Sequence, residues 1–194
     1  MLGRVTGLGR DLLVLKKFGI SLETDLINIF LFIPDLINTI FVGAAVSLVF
    51  IPIFTNGKNR STVNYYFHFN IFLIILSLLI LTAINFQYID FLSLFYDAID
   101  EAEYSVLEAN EFFLYLSILG SVLCSVSISL LNANSKFFYT NYCTIVFNIA
   151  IIIGLIALVP DSIQTNIAAI IFIACLAKAI FLFFPSLKIL KLKL

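Results

Sequence analysis

Charged residues are scarce in this chain, and histidine and cysteine are scarcer. Asp, Glu, Lys and Arg make up 12% of the 194 residues, about half their share in soluble globular domains. With 62% hydrophobic residues and a mean hydropathy of +1.11, that shortage excludes a soluble globular fold and indicates an integral membrane protein. The charges nearly cancel, to a net −1, and no tail of one sign offers a surface for nucleic acid. His68 has no second histidine or paired acid at helical spacing, which argues against a zinc site. Cys124, Cys143 and Cys175 sit in apolar runs without a CxxC or CxH neighbour, so they read as packing residues rather than a disulfide or metal site.

Missing motifs exclude further classes. Gly7 and Gly9 begin a GxG, but no third glycine follows and no strand precedes, so a dinucleotide fingerprint is rejected. The first 19 residues lack the layout of a signal peptide, because their apolar core is short, interrupted by charge and without a small-residue cleavage site. Asp90, Asp97, Asp100, Glu101, Glu103, Glu108 and Glu111 gather without one basic residue between them. They lack the glycine and spacing of a calcium loop and read as a solvated acidic connection. No nucleophile, base and orienting group stand at usable spacings, so neither an enzyme nor a cofactor is expected.

What the chain does have is long apolar runs. They predict a single all-α membrane domain with helices over 1–19, 25–54, 63–89, 112–131, 138–159 and 165–184. For the first of these, an amphipathic helix lying in the interface is the alternative. With the amino terminus cytoplasmic, Lys58, Arg60, Lys136 and Lys188 to Lys193 fall inside and the acidic connection outside, the positive-inside pattern, with Lys16 and Lys17 as the exception.

Polar residues inside these spans carry the functional signal. Asp25, Asn28 and Asp35 share a helical arc of about 80°, with Asn38 about 60° further round. Such a stripe is costly against hydrocarbon and is expected to face a cavity or a neighbouring helix. Pro34 bends the segment and Gly43, Ala44, Ala45 and Ser47 allow close approach. Gly3 and Gly7 form another small-residue packing pattern. Arg4 and Asp11 share a face and are placed to pair, with Arg10 on another. Ser117, Ser121, Ser125 and Ser129 make a four-residue ladder that serves packing or lines a cavity. Asn141, Thr144 and Asn148 share a face of the fifth span. Lys178, seven residues before Pro185, reads as a lysine that snorkels to the nearby interface rather than a buried functional cation.

The runs GRVTGLGRD, FG, TD and IPDLINTIFVGAAVSLVFIPIF, then LNANSKF and the region of Asn148, resemble the MurJ (MviN) lipid II flippases over essentially the whole chain. The resemblance implies the multidrug/oligosaccharidyl-lipid/polysaccharide exporter fold, two six-helix lobes around a central cavity with alternating access, of which this chain is the amino-terminal lobe. It further implies substrate contacts at Arg4, Arg10 and Asp25, to which the position of Asn38 is added, while the polar stripe, the serine ladder and the face of the fifth span make Asn28, Asp35, Ser121, Ser125 and Asn148 the expected cavity-lining residues. Asn38 stands where the family has an arginine, and 43–47 lacks the family's glutamate; both changes remove charge. The expected function is movement of a polyprenyl-diphosphate-linked cell-wall precursor such as lipid II to the outer leaflet of the bacterial inner membrane. The alternatives are export of another lipid-linked oligosaccharide of the O-antigen type, or a membrane fragment without transport of its own. Expected partners are the lipid-linked substrate, membrane lipid and a second lobe or second copy.

Overall fold

A backbone in hydrocarbon must satisfy its own polar groups, which a helix does within one segment. The computed structural model describes residues 2–39, 47–56, 59–86, 101–157 and 167–192, and all of its elements are α-helices. They are α1 (Leu2–Phe18), α2 (Leu22–Asn38), α3 (Ser47–Asn56), α4 (Asn59–Phe86), α5 (Glu101–Ala133), α6 (Phe137–Ala157) and α7 (Ile167–Leu192). Among the described residues, four stretches, Thr62–Leu79, Phe112–Ala133, Phe137–Ala157 and Ile167–Leu190, are long and apolar enough to cross a bilayer. The protein is therefore an all-α polytopic membrane protein.

The helix expected over 25–54 corresponds to α2 and α3; residues 40–46, with Gly43 to Ala45, lie outside the described residues, as do 87–100 of the acidic connection. The side chains of Pro34 and Asn38 lie outside them too. In the acidic stretch, α5 already begins at Glu101.

Two turns follow directly from their residues. Gly19 closes α1 at φ +67, a left-handed position that glycine occupies without steric cost. Its N–H donates to the Leu15 carbonyl at 2.8 Å, and the Thr24 hydroxyl donates to the Gly19 carbonyl at 2.8 Å, which ties α2 back onto α1. Between α5 and α6, Ser135 is left-handed at φ +57 and the Lys136 N–H reaches back to the Leu131 carbonyl at 2.9 Å. Residues 134–136 thus make a tight turn between the two helices.

α5 is the central helix, touching α2, α3, α4 and α7, while α6 lies between α1 and α7. Lipid tails are as apolar as side chains, so helices associate here through close packing rather than water exclusion. The serine ladder serves that purpose. Ser117, Ser121, Ser125 and Ser129 are all buried, and Ser117, Ser125 and Ser129 bond back to the carbonyls of Leu114, Val122 and Ser125 at 2.7, 2.6 and 3.0 Å. Between α6 and α7 the approach is closer still: a β-carbon on Gly154 would come within 2.5 Å of Ile170.

α1 and α6 run parallel. Gly3 sits against Thr144, Gly7 against Asn148, and the Lys17 ammonium donates to the Leu155 carbonyl at 2.7 Å. One apolar cluster, including Val14, Ile27, Leu155, Ile167 and Cys175, packs the end where α1 turns into α2. A second, including Phe54, Tyr66, Leu131, Leu182 and Leu190, packs the opposite end. On α7, Lys178 falls between them.

Candidate functional site

The polar residues that matter lie at one depth. Arg10 is eight residues before the end of α1, Asn148 nine before the end of α6, and Lys178 eleven after the start of α7. At 1.5 Å per residue these are about 12, 14 and 17 Å from the α1–α2 end of the bundle, whereas Asp35 on α2, at about 20 Å, is level with Arg4 at about 21 Å. Arg10, Asn148 and Lys178 therefore lie about two to three turns inside that end of the bundle.

Arg10 is the anchor. Its side chain is 13% exposed and is held by Asp11, whose Oδ1 accepts from Nε at 2.9 Å and pairs with Nη2 at 2.9 Å. Nη1 donates to Oδ1 of Asn148 at 3.2 Å. The Asn148 amide is turned by its other side: Nδ2 donates to the Gly3 carbonyl and to Thr6 Oγ1, both at 3.2 Å. Gly3 and Gly7 have no side chain to keep α6 away, so the amide reaches the α1 backbone. A guanidinium has five N–H donors in a plane, and these contacts use three. The rest are available to an anion.

Lys178 belongs to this band and Asp35 lies beyond it. The Asp35 carboxylate lies within electrostatic reach of both Lys178 and Arg10. Lys178 is 7% exposed, with its ammonium 5.6 Å from the centre of the Phe147 ring. Asp35 itself is exposed on α2, and what the interior holds is Arg10 with Asn148 across α1 and α6 and Lys178 against Phe147. The remaining N–H donors of Arg10 can bind an anionic group by charge and by direction.

The family described as lipid II flippase MurJ matches the chain over residues 14–193. The chain belongs to the lipid II flippase MurJ family. It is 32% identical over 160 residues to the lipid II flippase MurJ of Thermosipho africanus, covering 78% of this chain and 32% of that protein. It is 30% identical over 162 residues to a probable lipid II flippase MurJ of Buchnera aphidicola, covering 79% of this chain and 31% of the relative. A shorter likeness, 38% over 60 residues, covers 31% of this chain and 12% of the lipid II flippase MurJ of Burkholderia cenocepacia. The chain thus spans about a third of the length of the curated relatives it matches. No solved structure matches it significantly. The MurJ family is one of flippases, a class of transporters rather than of enzymes.

Within this MurJ-family chain the residues singled out from sequence are dispersed. Arg10 and Asn148 come together, as above, whereas Asp35 is exposed and among the described residues bonds to neither. Arg4 lies six residues earlier on α1, about 9 Å away along the axis, where it lines a groove of about 530 Å³ with Asn141 and Thr144. Asp11 pairs with its neighbour Arg10, not with Arg4 as its face suggested, because Arg10 bends toward the helix interface and brings its guanidinium along. Asp25 and Asn28 are exposed near the start of α2, and among the described residues the Asp25 carboxylate has no hydrogen bond or ion pair. Ser121 contacts the Cys175 thiol of α7 at 3.7 Å, and the buried Ser125 bonds within its own helix.

Lys178 is the residue that the MurJ-family sequence hid. Snorkelling required the helix to end near Pro185, but α7 continues through Pro185 to Leu192 and places Lys178 near its middle. The Ser186 hydroxyl bonds the Leu182 carbonyl at 2.8 Å within that continued helix. A signal was present in the apolar spacing of Leu187, Ile189 and Leu190, which carries the helix past the proline.

Proposed function

We propose that this chain is one lobe of a flippase that carries a polyprenyl-diphosphate-linked cell-wall precursor, such as lipid II, from the inner to the outer leaflet of the bacterial inner membrane. The observation that carries this reading is Arg10, a guanidinium drawn inside the bundle and oriented by Asn148 and Asp11. A cation inside a membrane bundle is expensive unless it has an anionic task, and a guanidinium fits a diphosphate through paired N–H donors. The lipid tail would remain in the bilayer while the headgroup rests on Arg10.

Alternating access requires a second body to rock against this one. A carboxy-terminal lobe, or a second copy of this chain, would supply it and would close the polar band on its open side. The chain would cross the membrane six times with both ends in the cytoplasm.

The test is rescue of a strain depleted of its own flippase. This chain co-expressed with a carboxy-terminal lobe of the family should restore growth and lipid II translocation, and Arg10→Ala should abolish both with membrane insertion intact. Translocation unchanged by Arg10→Ala would sink the reading. Growth with this chain alone would point to a homodimer.

A further inference from the structure

One side of α1 packs on α6 and the other is uncovered. Gly3, Gly7, Arg10 and Lys17 meet α6 at Thr144, Asn148 and Leu155. These contacts run along the stretch Phe137–Ala157, which is long and apolar enough to cross a bilayer, so α1 stands at membrane depth. On the opposite side Val5, Leu8, Leu12 and Leu15 are 63, 61, 57 and 48% exposed. Their alternating spacing of three and four is that of the a and d positions of a heptad. Beside them, Arg4 and Asp11 take the g positions and Gly9 and Lys16 the e positions, and all four are exposed.

Lipid covers the four apolar side chains as well as a protein would, because hydrocarbon is as apolar as leucine. It covers the charges poorly. Asp11 lies seven residues before the end of α1, about 10 Å along the axis, too far for its short side chain to reach that end. Its carboxylate is half exposed, and among the described residues it is engaged only through Oδ1, by Arg10 of its own helix. Lys16 has no hydrogen bond or ion pair among the described residues. The face therefore calls for a protein whose charges answer its own.

We infer that this face binds a second copy of the chain, α1 against α1, in parallel about a twofold axis along the membrane normal. Copies inserted the same way round present parallel α1 helices under that axis, and the contact is isologous. In a parallel pair a g residue meets the e residue of the next heptad on the other helix. Asp11 then meets Lys16 of the second copy, and symmetry repeats the pair. Arg4 meets Gly9 of the second copy, which brings no charge against it and has open space where a β-carbon would stand. A β-branched Val5 at a with Leu8 and Leu15 at d favours two strands. The inference rests on the reading of this chain as one lobe and deepens it by naming the second body and the face that meets it.

The experiment uses the 194-residue chain in liposomes, with single cysteines in a cysteine-free background oxidised by copper phenanthroline. Leu8→Cys and Leu15→Cys, both at d positions, should give a covalent dimer, and Phe72→Cys, on α4 and 59% exposed, should not. In single-molecule photobleaching of dye-labelled chain diluted in lipid, Lys16→Glu should weaken the dimer about tenfold, as expected for two ion pairs lost. Lys16→Arg should keep it. These side chains are exposed in the single chain, and helical circular dichroism checks that each variant is folded. Cross-linking at Phe72 as fast as at Leu8 marks random encounter and overturns the inference. An unchanged dimer in Lys16→Glu, or a dimer that cross-links at neither leucine position, does the same. Preferential cross-linking of Leu8→Cys to a co-expressed carboxy-terminal lobe of the family overturns the second copy as occupant and leaves the flippase reading standing. That reading is decided separately by Arg10→Ala in the rescue assay.

Discussion

The Arg10 guanidinium on α1 donates to the side-chain oxygen of Asn148 on α6 at 3.2 Å, across 138 positions of sequence. The same amide donates to the Gly3 carbonyl and Thr6 hydroxyl. One asparagine therefore both fastens α1 to α6 and aims the cation. Structure and proposed function meet at that side chain, and the first prediction follows from it.

Replacing Asn148 by Leu removes three hydrogen bonds and leaves a charged donor unsatisfied. We expect a loss of stability of about 1 to 3 kcal/mol, read by denaturant unfolding in detergent. Arg10 should also become more reactive to phenylglyoxal. An unchanged reaction rate would mean that Asn148 does not orient the guanidinium.

Gly154→Ala should destabilise the pair α6–α7, since the added carbon would meet Ile170 at 2.5 Å. The expected cost is about 1 to 3 kcal/mol for overpacking. Gly9→Ala is the control, because nothing lies within 4 Å of its added carbon and alanine favours the helix by about 1 kcal/mol. Equal effects at the two positions would contradict the packing described.

Cys124, Cys143 and Cys175 are free and buried. In the folded protein a membrane-permeable maleimide should label none of them within the time that labels all three in dodecyl sulfate. Rapid labelling of Cys175 before unfolding would show that α5 and α7 separate at Ser121.

For topology, single cysteines placed in a cysteine-free background at positions 97 to 103 should react with an impermeant reagent from outside the cell, and those at 58 or 191 should not. Reaction at 58 or 191 from outside would invert the arrangement.

The helical architecture was legible because hydrocarbon leaves a backbone little choice, and long apolar runs such as 112–131 declare it. Gly3 and Gly7 were read as a packing pattern, and they pack against α6. The serine ladder left packing and cavity lining both open; in the folded bundle all four serines are buried. Arg4, Asp25 and Arg10 looked like one set, but a helix rises 1.5 Å per residue and holds them at different depths. Arg4 and Arg10 occupy separate parts of the α1–α6 face as a result.

By itself, the sequence determined that this chain folds as helices in a membrane and to which family it belongs, since both depend on local composition, periodicity or motif. Tertiary structure alone decided that Arg10 meets Asn148 and that Lys178 is buried against Phe147. Periodicity assigns a residue to a face of its own helix but says nothing of which helix stands opposite or at what axial offset. Lys178 shows the consequence: its reading turned on whether α7 stopped at Pro185. The packing of Leu182, Ile189 and Leu190 into the far apolar cluster carries the helix onward and leaves the ammonium in the interior.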